Sequence, residues 1–286
     1  MNDPFNLKPL WDSILAIYNE VTRVCERHGL RYYAADGTAL GAMRHNGFIP
    51  WDDDLDIFMP RPDYEKFKDL ASKELPDHLK FVCHGNTPEF KLLFGKVQDC
   101  RRDKIESIER DTGRILSNGL FIDVFPLDGF PATAVDRFFL RIKSIAIVQY
   151  IVFKDYKLHA LPITGKIRWW VGFMLSPLYY LFWRNKNPYV CLEKMYSNLQ
   201  YDNSEFVSSY DCTLSVFRKK PLSKDVFGNG VEYPFCGQAI RVPSQCEVFL
   251  ENEYGDWQAL PPEEDRHPTH EYAERCAWWL GPTGIR

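Results

Sequence analysis

The sequence predicts an α+β fold: a mixed-sheet core over 1–131, a mainly helical region over 132–200, and an α/β segment over 201–286 that packs back on the core. Three observations carry this. Helically spaced apolar segments alternate with short strand-like runs near the N-terminus. Several strand-like runs then follow one another between 79 and 125. Beyond 133 the helical spacing takes over for some seventy residues.

Taken in order, Leu10, Ile14, Ile17, Val21, Val24 and Cys25 recur at helical spacing, and Gly29 supplies a stop, which predicts a helix over 10–28. Residues 30–35 (LRYYAA) read as a strand, and Gly37 to Asn46 as a short helix that follows at once. Residues 54–59 (DLDIFM) read as a second strand. Pro60 to Leu75 reads as a helix with Tyr64, Phe67 and Leu70 on its apolar side. Further strands are expected at 79–83, 91–98, 104–109 and 120–125, and helices at 133–157, 166–183 and 188–200. The tail from 205 mixes short strands with a helix near 244–253, and Pro261, Pro262 and Pro268 punctuate an extended end.

Composition narrows the function classes. With 45% hydrophobic and 26% charged residues over 286 positions, the chain is an average globular one, not disordered or collagen-like. Lys plus Arg is 35 against 39 Asp plus Glu, so the basic surplus of a nucleic-acid binder is missing. No basic stretch followed by an apolar core opens the sequence, so a cytoplasmic chain is expected. The eight cysteines form no Cys-x-x-Cys pair, which favours reduced thiols, mostly buried as small hydrophobes, over disulfides or a zinc finger.

The longest uncharged run, Trp169 to Trp183, has fifteen residues with Pro177 inside it. A spanning helix needs about 20 apolar residues. Yet Arg137 to Lys186 carries nine Lys or Arg and one acid, Asp155. A basic, aromatic helical stretch fits either a subdomain packed on the core or a peripheral membrane contact.

The most informative stretch runs from Gly37 to Ile57. Asp52, Asp53, Asp54 and Asp56 repel one another, an expensive arrangement unless a cation sits there. Side chains alternate along a strand, so Asp52, Asp54 and Asp56 share one face. Asp53, Leu55, Ile57 and Met59 share the other. Oxygen ligands on one side suit Mg²⁺ or Mn²⁺. An EF-hand does not fit: counted from Asp52, the required Gly is Ile57 and the required Glu is Asp63. Upstream, Gly37 and Thr38 stand between a strand and a helix, where free N–H groups suit a phosphate, although Thr38 also reads as a simple cap.

The run GTALGAMRHNGFIPWDDDLDI resembles the signature of the LicD family, related to fukutin-type transferases and belonging to the nucleotidyltransferase fold. Phe121 to Gly129 (FIDVFPLDG) resembles the family's second block. Tyr254-Gly255-Asp256-Trp257, with Leu260-Pro261-Pro262 and Arg266, resembles its C-terminal block. The helical region 132–200 is where the likeness is least specific.

The resemblance implies transfer of a phospho-alcohol group from a CDP-alcohol donor, CDP-choline in the namesake activity, to a hydroxyl of a glycan or lipid-linked glycan. By the same analogy Gly37 and Thr38 grip a donor phosphate, and Asp54 and Asp56 are metal ligands. Asp52 joins them at the metal or just behind it. Asp123 is the third carboxylate, sharing the metal and accepting the proton of the attacking hydroxyl. Lys96 is read as neutralising a phosphate, or else as a surface lysine on an edge strand. Arg44 is read as contacting the acid cluster or donor phosphate, or else as capping its helix. Trp51 is a candidate for lining the site. His267 and His270 fit a structural or positioning role better than a metal pair. Trp278 and Trp279 fit packing better than stacking on a ligand. Two rival readings stand beside the transferase: a nucleotidyltransferase delivering NMP, and a catalytically silent nucleotide- or glycan-binding module, against which the full acidic set speaks.

Overall fold

Helix α1 (Lys8–His28) follows the predicted spacing: Leu10, Ile14, Ile17, Val21, Val24 and Cys25 are all buried. Gly29 ends it at φ +62°, a left-handed conformation that glycine adopts without strain. The chain is seen here as a computed structural model that describes residues 3–87, 90–101, 106–109, 114–155, 163–177, 186–210 and 220–268. It is of the α+β class expected from the sequence.

After α1 come β1 (Tyr33–Ala34), α2 (Asp36–His45), β2 (Asp56–Pro60), α3 (Arg61–Glu74), β3 (Leu79–Val82) and β4 (Gly95–Asp99). A hairpin of β5 (Glu106–Glu109) and β6 (Arg114–Asn118) leads into the long strand β7 (Phe121–Phe130). Helices α4 (Ala134–Asp155), α5 (Ile163–Met174) and α6 (Pro188–Ser197) follow. The tail supplies β8 (Phe206–Ser209), β9 (Leu222–Ser223), the hairpin β10 (Val231–Phe235) and β11 (Gln238–Val242), and α7 (Cys246–Tyr254).

The main sheet is mixed, in the order β1-β2-β7-β4-β3. Strand β7 organises it. One edge pairs in parallel with β2, from Asp56↔Asp123 to Pro60↔Leu127. The other edge pairs antiparallel with β4 along its first half and with β8 along its second. The helical region is therefore inserted between two strands of one sheet, β7 and β8. Arg61, at the start of α3, clamps Asp128 of β7 through two bonds of 2.7 and 2.6 Å, both partners buried.

Several elements are shorter than the sequence suggests. Of the strand expected at 30–35 only Tyr33 and Ala34 pair, with Phe58 and Ile57. The strand expected at 91–98 begins at Gly95, the first residue of its ladder with β7, and Leu93 and Phe94 before it form a bend. Asp54 and Leu55 precede the ladder of β2. The helix expected over 166–183 is described as Ile163–Met174, and residues 178–183 lie outside the described residues, as do 104 and 105 of the strand expected at 104–109. The described cysteines (25, 83, 100, 191, 236 and 246) are free thiols; Cys212 and Cys276 lie outside. Among the described residues no helix is long and apolar enough to cross a membrane.

Candidate functional site

Three charged residues lie in one row across the sheet. Asp56 of β2 stands opposite Asp123 of β7, and Asp123 stands opposite Lys96 of β4. Residues directly opposite one another project to the same face, so the row converges. Lys96 Nζ donates to Asp123 Oδ1 at 2.5 Å and lies 3.4 Å from the Phe121 ring centroid. Phe94 flanks it at 5.5 Å. Both ends of the pair are buried, Lys96 at 5% and Asp123 at 8% exposure. This corrects the reading of Lys96 as a surface lysine on an edge strand: β4 runs between β3 and β7, and the ammonium is enclosed by rings and a carboxylate.

The acidic segment alternates as the sequence predicts. Asp53, Leu55 and Ile57 are buried, while Asp52, Asp54 and Asp56 are half-buried on the opposite side. Its backbone is pinned from three directions. The Trp11 indole N–H of α1 donates to the Asp52 carbonyl at 2.8 Å. The Asp56 N–H donates to Thr38 Oγ1 at 2.8 Å, and the Ala35 N–H donates to the Asp56 carbonyl at 2.9 Å. The start of α2 is thereby locked to the start of β2. A Cβ on Gly37 would lie 2.8 Å from Asp52 Oδ2, so this carboxylate rests against the glycine.

The acids feel one another's charge. Burial pushes the Asp56 carboxyl well above its ordinary value, and repulsion from Asp54, Asp123, Asp36 and Asp52 pushes the same way. Asp52 is raised by burial, by the charge of Asp54 and by a hydrogen bond with it. Two contributors have no site role assigned from the sequence. Asp36 opens α2 and adds its charge to Asp56. Tyr254, at the end of α7, has its hydroxyl raised by burial and by Asp36, Glu253, Asp56 and Asp52. Asp36 also lines a cavity of about 100 Å³ with Phe58, Phe125, Phe227 and Glu253. No short-range pattern marks Asp36 in sequence; only the fold brings it to the cluster.

The remaining candidates divide. Thr38 does not cap its own helix, whose N-cap is Ala35. Arg44 donates to the carbonyls of Trp257 and Ala259 at 3.0 and 3.1 Å, so its guanidinium serves the C-terminal segment and not the carboxylates. Burial lowers its pKa, and Tyr254 and Arg266, not the aspartates, are the charges it feels. Trp51 is half-buried, with the Arg266 guanidinium 5.9 Å from its ring centroid. The blocks around Arg44 and Arg266, far apart in sequence, thus meet beside Trp51. His267 is exposed and, among the described residues, its ring pairs with the adjacent Pro268 carbonyl. His270, Trp278 and Trp279 lie outside the described residues.

Residues 29–127, which hold β1, α2, the acidic segment and β7 as far as Leu127, match the LicD/FKTN/FKRP nucleotidyltransferase domain. This part of the chain is a LicD-family domain. Over 255 residues, 86% of this chain and 89% of the other, the chain is 26% identical to the lipopolysaccharide cholinephosphotransferase LicD of Haemophilus influenzae. An uncharacterised protein of Rickettsia typhi is 34% identical over 94 residues, 30% of either chain. Asp52, Asp54, Asp56 and Asp123 offer carboxylate oxygens only, the ligand type that Mg²⁺ or Mn²⁺ prefers. Among the described residues no group of three or more His, Cys, Asp or Glu side chains is placed to hold a metal ion.

Proposed function

We propose that this LicD-family protein transfers a phospho-alcohol group, phosphocholine from CDP-choline in the first instance, to a hydroxyl of a cell-surface glycan. The glycan is of the lipopolysaccharide, capsule or teichoic acid type. The reading rests on the Asp56–Asp123–Lys96 row next to the pinned acidic segment, together with likeness to a cholinephosphotransferase over most of both chains.

Asp52, Asp54, Asp56 and Asp123 would hold Mg²⁺ or Mn²⁺. The bound cation supplies charge neutralisation at the diphosphate. The chain's own groups do the rest. The first N–H groups of α2, at Gly37 and Thr38, face the donor phosphate with the positive end of the helix dipole. Asp123 takes the proton of the glycan hydroxyl as its oxygen bonds to the choline-bearing phosphorus. The bond from that phosphorus to the bridging oxygen breaks, and CMP leaves with the electron pair. Lys96 holds Asp123 in place and offsets the negative charge gathered there.

The test is nucleotide release from a series of CDP-alcohols (choline, ethanolamine, ribitol, glycerol) with a glycan acceptor, with and without Mg²⁺. CMP release that needs the cation and prefers CDP-choline is the expected result. The family's nucleotidyltransferase description favours one rival, delivery of NMP; pyrophosphate released from a nucleoside triphosphate would establish it instead. No turnover of either kind, with nucleotide still bound, would mark a silent binding module.

A further inference from the structure

Helix α4 has two apolar sides. Leu140, Ile147, Val148 and Ile151 are buried, packing with Tyr189, Leu192 and Tyr196 of α6 and with Phe130 at the end of β7. On the opposite side Val135, Phe138, Phe139, Ile142 and Ile145 recur at helical spacing and are all exposed, the two phenylalanines at 58% and 57%. Farther along, α5 packs on this outer side: a Cβ on Gly172 would lie 2.6 Å from Phe153 Cβ. Helix α5 then shows its own apolar stripe of Ile167, Trp170, Val171 and Met174, with Trp170 at 54% and Met174 at 75% exposure. An apolar surface of this kind on a folded chain marks an interaction site.

The charges around the stripe select the occupant. Arg141 and Lys143 are exposed on either side of Ile142, and Lys154 and Lys166 are exposed nearby. Asp136 is the acid of the first turn and is engaged by Thr133. Asp155, the one acid between Arg137 and Lys186, is turned inward to the Tyr189 hydroxyl at 2.9 Å and Lys91 at 3.1 Å. Apart from Asp136, what faces outward is an apolar ridge with cationic flanks, on helices not long and apolar enough to cross a bilayer and suited to lie in its headgroup layer.

We propose that the outer face of α4 and α5 seats the protein on an anionic lipid surface. Phe138, Phe139, Ile142, Trp170 and Met174 enter between the headgroups, and Arg141, Lys143 and Lys166 lie against lipid phosphates. The contact requires neither donor nor metal, so it stands or falls independently of the transferase reading.

The experiment is co-sedimentation of the full chain with phosphatidylcholine vesicles, with and without phosphatidylglycerol, across salt concentrations. The chain should pellet with the anionic vesicles and be released as salt rises. Phe138→Asp with Trp170→Asp should weaken binding by about tenfold or more for each ring removed, with the cooperative unfolding transition retained because both side chains lie outside the core. Arg141→Glu with Lys143→Glu, which keeps the apolar ridge, should weaken binding to anionic vesicles alone. Failure to pellet at low salt, or equal binding by the variants, would overturn the proposal. A wild-type dimer that the ring variants convert to monomer would assign the face to self-association instead, and overturn it equally.

Discussion

Asp56 and Asp123 stand directly opposite each other on neighbouring parallel strands, at the first pairing of β2 with β7. Like charges so placed destabilise a sheet, and burial raises the cost at Asp56. A fold retains such a pair when function needs it. Asp56→Asn therefore should raise the melting temperature of the metal-free protein while lowering turnover by at least about a hundredfold. Thermal unfolding and CMP release on the same preparation check both halves. A variant that melts lower and still turns over would remove Asp56 from the site.

Lys96 is a buried cation bonded to Asp123. Removing one partner of a buried pair leaves an uncompensated charge, a loss of about 3–5 kcal/mol. Lys96→Met should be destabilised on that scale, although methionine fills much of the space between Phe121 and Phe94. Adding Asp123→Asn should recover part of the loss, because the stranded carboxylate is gone. A denaturant-melt double-mutant cycle measures the coupling. Additive effects would mean that the 2.5 Å contact contributes nothing specific.

His45 gives the fold a pH dependence of known sign. Burial lowers its pKa from the ordinary 6.5, and the neighbouring Arg44 lowers it further. Below 6.5 the unfolded chain then binds a proton that the folded chain resists, so this group's contribution to stability is complete above pH 6.5. It is lost as pH falls through 6.5 towards the depressed folded value, and then levels off. His45→Gln should flatten this part of the stability curve between pH 7 and 5. Melting temperatures across that interval test it; an unchanged slope would assign the dependence elsewhere.

Much of the site was legible because its signals are local. The alternation that separates Asp52, Asp54 and Asp56 from Asp53, Leu55 and Ile57 is a period-two pattern, and the burial of these residues follows it. Helix α1 was legible for the corresponding reason at period 3.6. What escaped depends on which strands become neighbours. Lys96 read equally well as an edge-strand residue until β4 was seen between β3 and β7. Arg44 carries a charge that suits the acid cluster, yet it answers the carbonyls of Trp257 and Ala259, more than two hundred residues away. Asp123 and Asp128, five residues apart on one strand, look alike in sequence; in the fold Asp128 is clamped by Arg61, whereas Asp123 is bonded by Lys96 and stands opposite Asp56.

Two glycines of α2 separate stability from function. A Cβ on Gly41 would lie 2.5 Å from the Gly47 carbonyl oxygen and 3.2 Å from the Ile49 nitrogen, backbone atoms that cannot step aside. Gly41→Ala should cost about 1–3 kcal/mol or more, as overpacking does. At Gly37 the obstacle is the Asp52 carboxylate at 2.8 Å, the end of a side chain that can rotate away. Alanine also suits a helix better than glycine does. Gly37→Ala should therefore melt at or above the wild-type temperature. Its turnover should still fall by about tenfold or more, because the displaced carboxylate no longer meets Asp54 and Asp56 in register. Melting curves and initial rates for the two variants test the contrast. If Gly37→Ala kept full activity, Asp52 would have no part in the chemistry.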